Sequence, residues 1–212
     1  MKIYDISRTI TNGLPVWPGD PEVRLEWISR IDRGDSVNLT EIHMCAHSGT
    51  HLDMPSHFLE HAQNLDSLDL SILIGNARVV LVPPEVNLID EAYLKTLSLD
   101  GEERILFKTK NCDLVEREPL FFHQNYVALD ASGANYLAGT GCKLVGIDYM
   151  SIATFDDPNG GHIPLLRAGI LVLEGLILQE VPPGNYQLIA LPLKLGGREG
   201  APTRALLTNN LN

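Results

Sequence analysis

Three histidines and one aspartate lie close together at positions 47, 51, 53 and 57. Imidazole and carboxylate are the side chains that bind Zn²⁺, Mn²⁺ and Fe²⁺ in proteins. All four positions are odd, so an extended chain, whose side chains alternate between two faces, puts all four on one face. A helix turns by about 100° per residue and separates Asp53 and His57 from His47 and His51, and Pro55 would interrupt it. The spacing therefore predicts a metal site on an extended segment.

This segment must also bend. A straight strand from position 47 to 53 spans about 20 Å at roughly 3.3 Å per residue, whereas ligand atoms lie about 2.0–2.2 Å from a metal. Gly49 and Pro55 are residues that allow such bends. We therefore predict a strand that runs into a kinked loop, with His47, His51 and Asp53 around a metal that keeps a position open for water or substrate. An exposed polar loop without a metal is the alternative.

The remaining histidines of this region are assigned by position. His57, four residues beyond Asp53, suits proton transfer because the ordinary pKa of imidazole is about 6.5. His43 has the same parity as His47 and is a candidate for the surroundings of the metal, whereas His61 is expected on a solvated loop beside Glu60.

Apolar runs typical of strands alternate with short helical patterns along the chain. Strands are predicted at residues 2–6, 23–28, 37–45, 77–82, 104–108, 126–130, 144–148, 169–174 and 187–195, and helical patterns at 88–97 and 131–138. This order indicates an α/β fold with some parallel pairing. Three of the runs end in an acid, namely Asp130, Asp148 and Glu174. Such an acid marks either a ligand site at the end of a strand or the cap of the next helix.

Length and composition restrict the class of protein. The 212 residues fit one domain, or at most two small ones. The net charge of −11 argues against binding a nucleic-acid backbone or docking on an anionic membrane. Three widely spaced cysteines form no disulfide framework and fit a reducing cytoplasm. We expect neither a signal peptide nor a membrane span, since a span needs about 20 apolar residues.

The segment from His47 to Phe58 resembles the signature of the cyclase family, which includes bacterial kynurenine formamidases and isatin hydrolases. Residues 17–20, 146–148, 170–176, 190–195 and 200–205 resemble further blocks of that family in the same order. The resemblance implies a swivelling β/β/α domain of the cyclase type over residues 1–212, assembled into a homodimer or homotetramer. It also implies a small-molecule substrate and a place in tryptophan catabolism.

The resemblance assigns roles to residues that the spacing leaves open. The positions that match metal ligands of one or two ions are His47, His51, Asp53, His57, His162 and Glu174. His57 also matches a residue used in catalysis, which can lie on the second metal in two-metal members. Without the resemblance, His162 would be a loop residue beside Gly160 and Gly161.

The chain departs from the formamidase pattern near the predicted site. After Gly-Ile-Asp the formamidases usually continue Thr-Pro-Ser-Val-Asp, whereas this chain has Tyr-Met-Ser-Ile-Ala at residues 149–153, and Ser151 alone keeps its place. Trp17 is a candidate wall for an aromatic substrate, with a core or interface tryptophan as the alternative. We expect these differences to affect which substrate is accepted and to leave the hydrolytic centre intact.

The resulting hypothesis is a metal-dependent, arylformamidase-like hydrolase of a carbon–nitrogen bond in an amide that is not a peptide. Zn²⁺ is the expected ion, with Mn²⁺ as the alternative, and Asp53 would bridge two ions if His162 and Glu174 hold the second. Three alternatives stay open. The enzyme could open a cyclic amide as isatin hydrolases do, it could be a lyase or dehydratase, or the metal could capture a small carboxylate without turnover.

Overall fold

The computed structural model describes residues 2–209. The strands are β1 (Ile3–Asp5), β2 (Arg24–Ser29), β3 (Leu39–His43), β4 (His51–Asp53), β5 (Ile74–Leu81), β6 (Leu88–Ile89), β7 (Arg104–Lys108), β8 (Ala128–Leu129), β9 (Leu144–Ile147), β10 (Leu171–Glu174), β11 (Gly184–Pro192) and β12 (Gly200–Thr208). The α-helices are α1 (Glu91–Leu94), α2 (Asn111–Arg117), α3 (Ala131–Ala138) and α4 (Pro158–Arg167). Within this part of the chain, no helix is both long and apolar enough to cross a membrane.

Eight strands form one sheet in the order β1-β12-β11-β5-β7-β9-β10-β4. Because β12 also pairs with β4, the sheet closes on itself. The neighbours β5–β7, β7–β9 and β9–β10 are parallel, which confirms the predicted parallel pairing. Two small sheets complete the fold, the antiparallel hairpin β2–β3 and the parallel pair β6–β8.

The central strands are buried on both faces, as their continuous apolar sequences predict. Leu106 and Leu173 point into the closed sheet, where they belong to one hydrophobic core. Their neighbours Ile105, Phe107 and Val172 point to the other side, into a second core beneath α1, α3 and α4. The two cores hold the ends of β4 and β10 in fixed positions relative to α4.

Two elements in the C-terminal half of the chain, α4 and β12, differ from the sequence-based expectation. His162, which the sequence without the family resemblance placed in a loop, lies in α4. Asp157 caps this helix by accepting a hydrogen bond from the Gly160 amide, and Pro158 occupies its first turn. Gly161 has a packing role, since a Cβ there would lie 2.5 Å from the Cβ of Ala153. The helix therefore forms in spite of its two glycines.

The second difference is the strand β12, which follows the last strand predicted. Pro202 and Arg204 interrupt the alternation of apolar residues along this strand, so the sequence did not predict it. Pro202 is accommodated opposite His51, while the Thr203 amide donates to the Thr50 carbonyl. This strand joins β11 to β4 and is the element that closes the sheet.

Candidate metal centre

Strand pairing brings three of the predicted ligands together. His51 and Asp53 are two residues apart on β4 and share one face. Glu174, the last residue of β10, lies directly opposite His51 in the antiparallel register. Directly opposite residues point to the same side of a sheet. The Nε2 atom of His51 accordingly lies 3.1 Å from Oε2 of Glu174 and 3.5 Å from Oδ1 of Asp53.

The α4 helix supplies the fourth predicted ligand, His162. Its Nε2 atom lies 3.0 Å from Oε1 of Glu174 and 3.6 Å from Oδ2 of Asp53. Its Nδ1 atom hydrogen-bonds the Pro158 carbonyl at 2.7 Å, and Nδ1 of His51 likewise pairs with the Gly49 carbonyl at 3.0 Å. A carbonyl accepts only, so in both rings Nδ1 carries the proton, which leaves Nε2 as the atom that would bind an ion.

His47 reaches the same cluster from the turn before β4. Its Nδ1 atom lies 2.8 Å from Oδ1 of Asp53. The turn depends on Gly49, whose φ of +67° is in the left-handed region and whose Cβ would lie 2.4 Å from the Cδ1 atom of Ile10. The bend predicted at Gly49 is therefore present. Pro55 begins the short 3-10 helix Pro55–His57, which turns the chain again after β4.

The donor set fits a divalent metal. Two groups of side chains offer ligand atoms close together, His47 with His51 and Asp53, and Asp53 with His162 and Glu174. Neighbouring donor atoms are separated by 2.8–3.6 Å, near the roughly 3.3 Å expected between ligands at about 2.0–2.1 Å from a tetrahedral ion. Oδ2 of Asp53 is buried without a hydrogen-bond partner in the described chain. An ion between these groups would satisfy it.

The protonation states favour ion binding by the carboxylates. Burial raises the pKa of Asp53, but the hydrogen bond with His47 and the charges of neighbouring histidines outweigh burial and hold it below its usual value. Burial and the charge of Asp53 raise the pKa of Glu174, yet its contacts with His162 and His51 lower it on balance. Both groups are therefore anionic at neutral pH, the form that binds a metal.

His57 lies beside the cluster and outside the two ligand groups. Its ring stacks on that of His47, with centroids 3.9 Å apart and an interplanar angle of 19°. Burial lowers the pKa of His57, and the nearby charge of His47 lowers it further, while Asp53 acts in the opposite direction. The imidazole is therefore largely neutral at pH 7 and able to accept a proton.

A cavity of about 380 Å³ opens onto the cluster. His57, Phe58 and Trp17 are among the residues that line it. The indole of Trp17 is half-buried and packs against Phe122 and Phe155, with centroids 5.5 Å and 5.2 Å away. Trp17 thus lines the cavity and also packs against neighbouring aromatic rings, while its role as a wall for an aromatic substrate stays a prediction.

Sequence reasoning missed several residues of this cavity. Glu199 lies in a loop where no site residue was predicted, and its Oε1 atom is 3.5 Å from Nε2 of His47. Cys45 also lines the cavity, as does Ser151 from the segment that departs from the formamidase pattern. Glu199 could have been found from its position directly before β12. Gly200, the first residue of β12, pairs with Asp53 and so brings Glu199 close to the cluster.

Other sequence candidates lie elsewhere. His43 is exposed on β3 beside Glu41, so its proposed place near the metal is wrong. His61 is exposed beside Glu60, as expected. Of the two strand-end acids other than Glu174, Asp130 caps α3, and Asp148 is buried in a hydrogen-bond network of its own.

Comparison with known proteins assigns the family. A family model described as "Putative cyclase" matches residues 4–154. The chain belongs to the cyclase family. It is 39% identical over 209 residues to a kynurenine formamidase of Salinibacter ruber, covering 98% of this chain and 97% of the relative. It is 40% identical over 218 residues to cyclase-like protein 3 of Arabidopsis thaliana, covering 97% and 79%.

Solved structures of cyclase-family hydrolases share the fold. A protein described as a potential metal-dependent hydrolase with cyclase activity aligns with a TM-score of 0.83 at 31% identity, covering 97% of this chain and 96% of the other. Isatin hydrolase A of Labrenzia aggregata aligns with a TM-score of 0.83 at 21% identity, covering 99% and 94%. The likeness confirms the predicted α/β fold of the cyclase type.

Proposed function

We propose that this cyclase-family chain is a metal-dependent hydrolase of a non-peptide carbon–nitrogen bond, with an arylformamidase-like activity. The observation that carries the proposal is the cluster of three imidazoles and two buried carboxylates at the end of an open cavity. The similarity to kynurenine formamidases along nearly the whole chain supports an amide as the substrate. The aromatic wall at Trp17 suits an aryl group.

A bound divalent ion supplies Lewis acidity, which polarises a carbonyl and lowers the pKa of water. Within the proposal, His47, His51 and Asp53 hold one ion, and His162 and Glu174 join Asp53 in holding a second if two are bound. His57 takes a proton from the attacking water and returns it to the leaving nitrogen. Its lowered pKa leaves the imidazole neutral for the first of these transfers.

The proposal extends to the ion, the assembly and the compartment. We propose Zn²⁺ because nitrogen and carboxylate oxygen suit it, with Mn²⁺ as the alternative that the same donors accept. The family resemblance supports a homodimer or homotetramer. A cytoplasmic location is supported by three unpaired cysteines. The substrate is a small molecule, since the cavity has a volume of about 380 Å³.

Opening of a cyclic aryl amide is the second candidate. The fold likeness to isatin hydrolase A prompts it, and the aromatic wall would accept a fused ring as readily as an open one. Turnover should be measured for linear N-formyl arylamines and for cyclic lactams or imides, with one protein sample whose metal content is known. The preferred class of substrate separates the two candidate activities. Full metal occupancy with no turnover of either class would favour a binding protein, and product without solvent oxygen would indicate a lyase or dehydratase.

Substitution of His57 tests its assigned role. We expect His57→Ala to keep at least one ion per subunit and to lower kcat by about 10²–10⁴-fold, the usual contribution of a proton-transfer group. His51→Ala is the matched comparison and should lose metal and activity together. Metal analysis by mass spectrometry and steady-state kinetics provide the two measurements. Unchanged turnover by the His57 variant would refute the assignment.

A further inference from the structure

The three histidines of the centre differ in how their second ring nitrogen is held. In His51 and His162 the outer nitrogen is Nδ1, and each donates to a backbone carbonyl, at 3.0 and 2.7 Å. In His47 the orientation is reversed, because Nδ1 is the atom that lies 2.8 Å from Asp53 inside the cluster. Its outer nitrogen is therefore Nε2, which is buried and has no hydrogen-bond partner in residues 2–209.

Glu199 is the group that faces this nitrogen. Its Oε1 atom lies 3.5 Å from Nε2 of His47, and it is the one carboxylate within 4.0 Å of that atom in the described chain. This separation is slightly longer than an ordinary N–H···O hydrogen bond, and the Glu199 side chain, which is 39% exposed, can change rotamer to shorten it. A metal-bound histidine normally donates its second N–H to a carboxylate or carbonyl, which fixes the ring and strengthens it as a ligand.

The backbone beside Glu199 is shaped to accept the ring. A Cβ at Gly200 would lie 2.7 Å from Cε1 of His47, so the imidazole rests against a residue that has no side chain. The same ring also stacks on His57. Glu199 and Gly200 thus hold His47 from the start of β12, which also pairs with the ligand strand β4.

We propose that Glu199 is a positioning residue for the metal centre, which accepts the Nε2 proton of His47 so that His47 binds the ion through Nδ1. The inference rests on the proposed metal-dependent function and concerns the ligand rather than the reaction. The loop before β12, which has no ligand of its own, thereby becomes part of the metal site.

The test measures Zn²⁺ affinity by competition with a chelator, using the full chain. We expect Glu199→Ala to weaken Zn²⁺ binding about 10–100-fold, the usual effect of losing such a partner. Glu199→Gln keeps an acceptor oxygen and should weaken Zn²⁺ binding less than Glu199→Ala does. Glu199→Asp keeps the carboxylate and should also bind Zn²⁺ more tightly than Glu199→Ala. Glu60→Ala is the matched control, because Glu60 faces His61 at 3.4 Å on the exposed surface, away from the centre.

A second readout separates positioning from a general structural effect. Nitrogen-15 spectra of the Zn²⁺-loaded protein should show His47 protonated at Nε2, whereas His51 and His162 are protonated at Nδ1. Zn²⁺ affinity of Glu199→Ala within twofold of the wild type, or an unprotonated Nε2 on His47, would overturn the inference. A wild-type protein that binds neither Zn²⁺ nor Mn²⁺ would instead overturn the proposed function.

Discussion

Asp148 is a buried carboxyl that lies outside the metal centre. It follows β9, is 1% exposed, and accepts hydrogen bonds from the amide and the hydroxyl of Thr109 at 2.6 and 2.8 Å. The Cys112 thiol also donates to it, at 2.9 Å. These contacts favour the anion, but burial outweighs them and raises the pKa of Asp148 from 3.8 to about 6. The folded state therefore holds this proton more tightly than the unfolded chain does.

The pKa of Asp148 gives the stability of the fold a specific pH dependence. Because the folded-state pKa is raised, the free energy of unfolding should fall as the pH rises through the interval from about 4 to about 6. The loss should approach 3 kcal/mol, at about 1.4 kcal/mol per unit of pKa difference. Asp148→Asn removes this contribution, so the wild-type free energy should decline relative to the variant across the interval. Urea unfolding at several pH values measures the difference.

The control for this prediction is Asp100→Asn, which removes an exposed carboxyl. It should leave the pH dependence of the wild type unchanged. A difference between wild type and Asp148→Asn that stays constant from pH 4 to 7 would contradict the assigned pKa.

Residue types and spacing predict part of the centre but not all of it. His47, His51 and Asp53 lie close in sequence, so local geometry suffices to bring them together. Glu174 could not be distinguished by sequence pattern from the other strand-end acids, because its role depends on which strand pairs opposite it. Glu199 contacts His47 although the two are 152 residues apart in sequence, and no local sequence pattern predicts that contact.

At the scale of elements, the turn before β4 depends on Gly49. Its φ of +67° costs any other L-residue about 1–2 kcal/mol, and an added Cβ would also displace Ile10. The carbonyl of Gly49 holds the Nδ1 proton of His51. We therefore expect Gly49→Ala to lower the free energy of unfolding by about 2–3 kcal/mol and to weaken metal binding as well.

Gly13 provides the matched control for Gly49. It has a φ of +75°, and an added Cβ would meet nothing within 4 Å. Gly13→Ala should therefore show the backbone cost alone, with metal affinity unchanged. Equal effects of the two substitutions on unfolding and on metal affinity, measured by urea titration and chelator competition, would refute a special role for the turn.

Elements with strong local signals are predicted well. The strand β7 and the helix α3 have the predicted bounds, since one is an apolar run and the other begins at the Asp130 cap. The helix α4 was missed because Gly160, Gly161 and Pro164 lower helix propensity, while the contacts that favour it lie on distant elements. Tertiary packing thus decides the helix that carries His162.

At the scale of the whole molecule, the closure of the sheet depends on a strand of three residues. β4 pairs with β10 on one side and β12 on the other, so it joins the two ends of the sheet. The same strand carries His51 and Asp53, while Glu174 and His162 belong to β10 and α4. The sequence predicts many of the strands and some parallel pairing, but closure depends on the pairing of β4 with β12, two strands far apart in sequence, and no local pattern indicates that pairing.

An ion held by these side chains would link β4, β10 and α4. Metal removal should therefore destabilise these three elements more than the rest of the fold. An ion that binds only the folded state stabilises it by about 4 kcal/mol when present at 1,000 times its Kd. We therefore expect a chelator to lower Tm and excess Zn²⁺ to restore it. Hydrogen exchange should increase first at the amides of β4 and the start of α4, with β5 and β7 unaffected. Increased exchange spread evenly over the sheet would mean that the centre does not secure its closure.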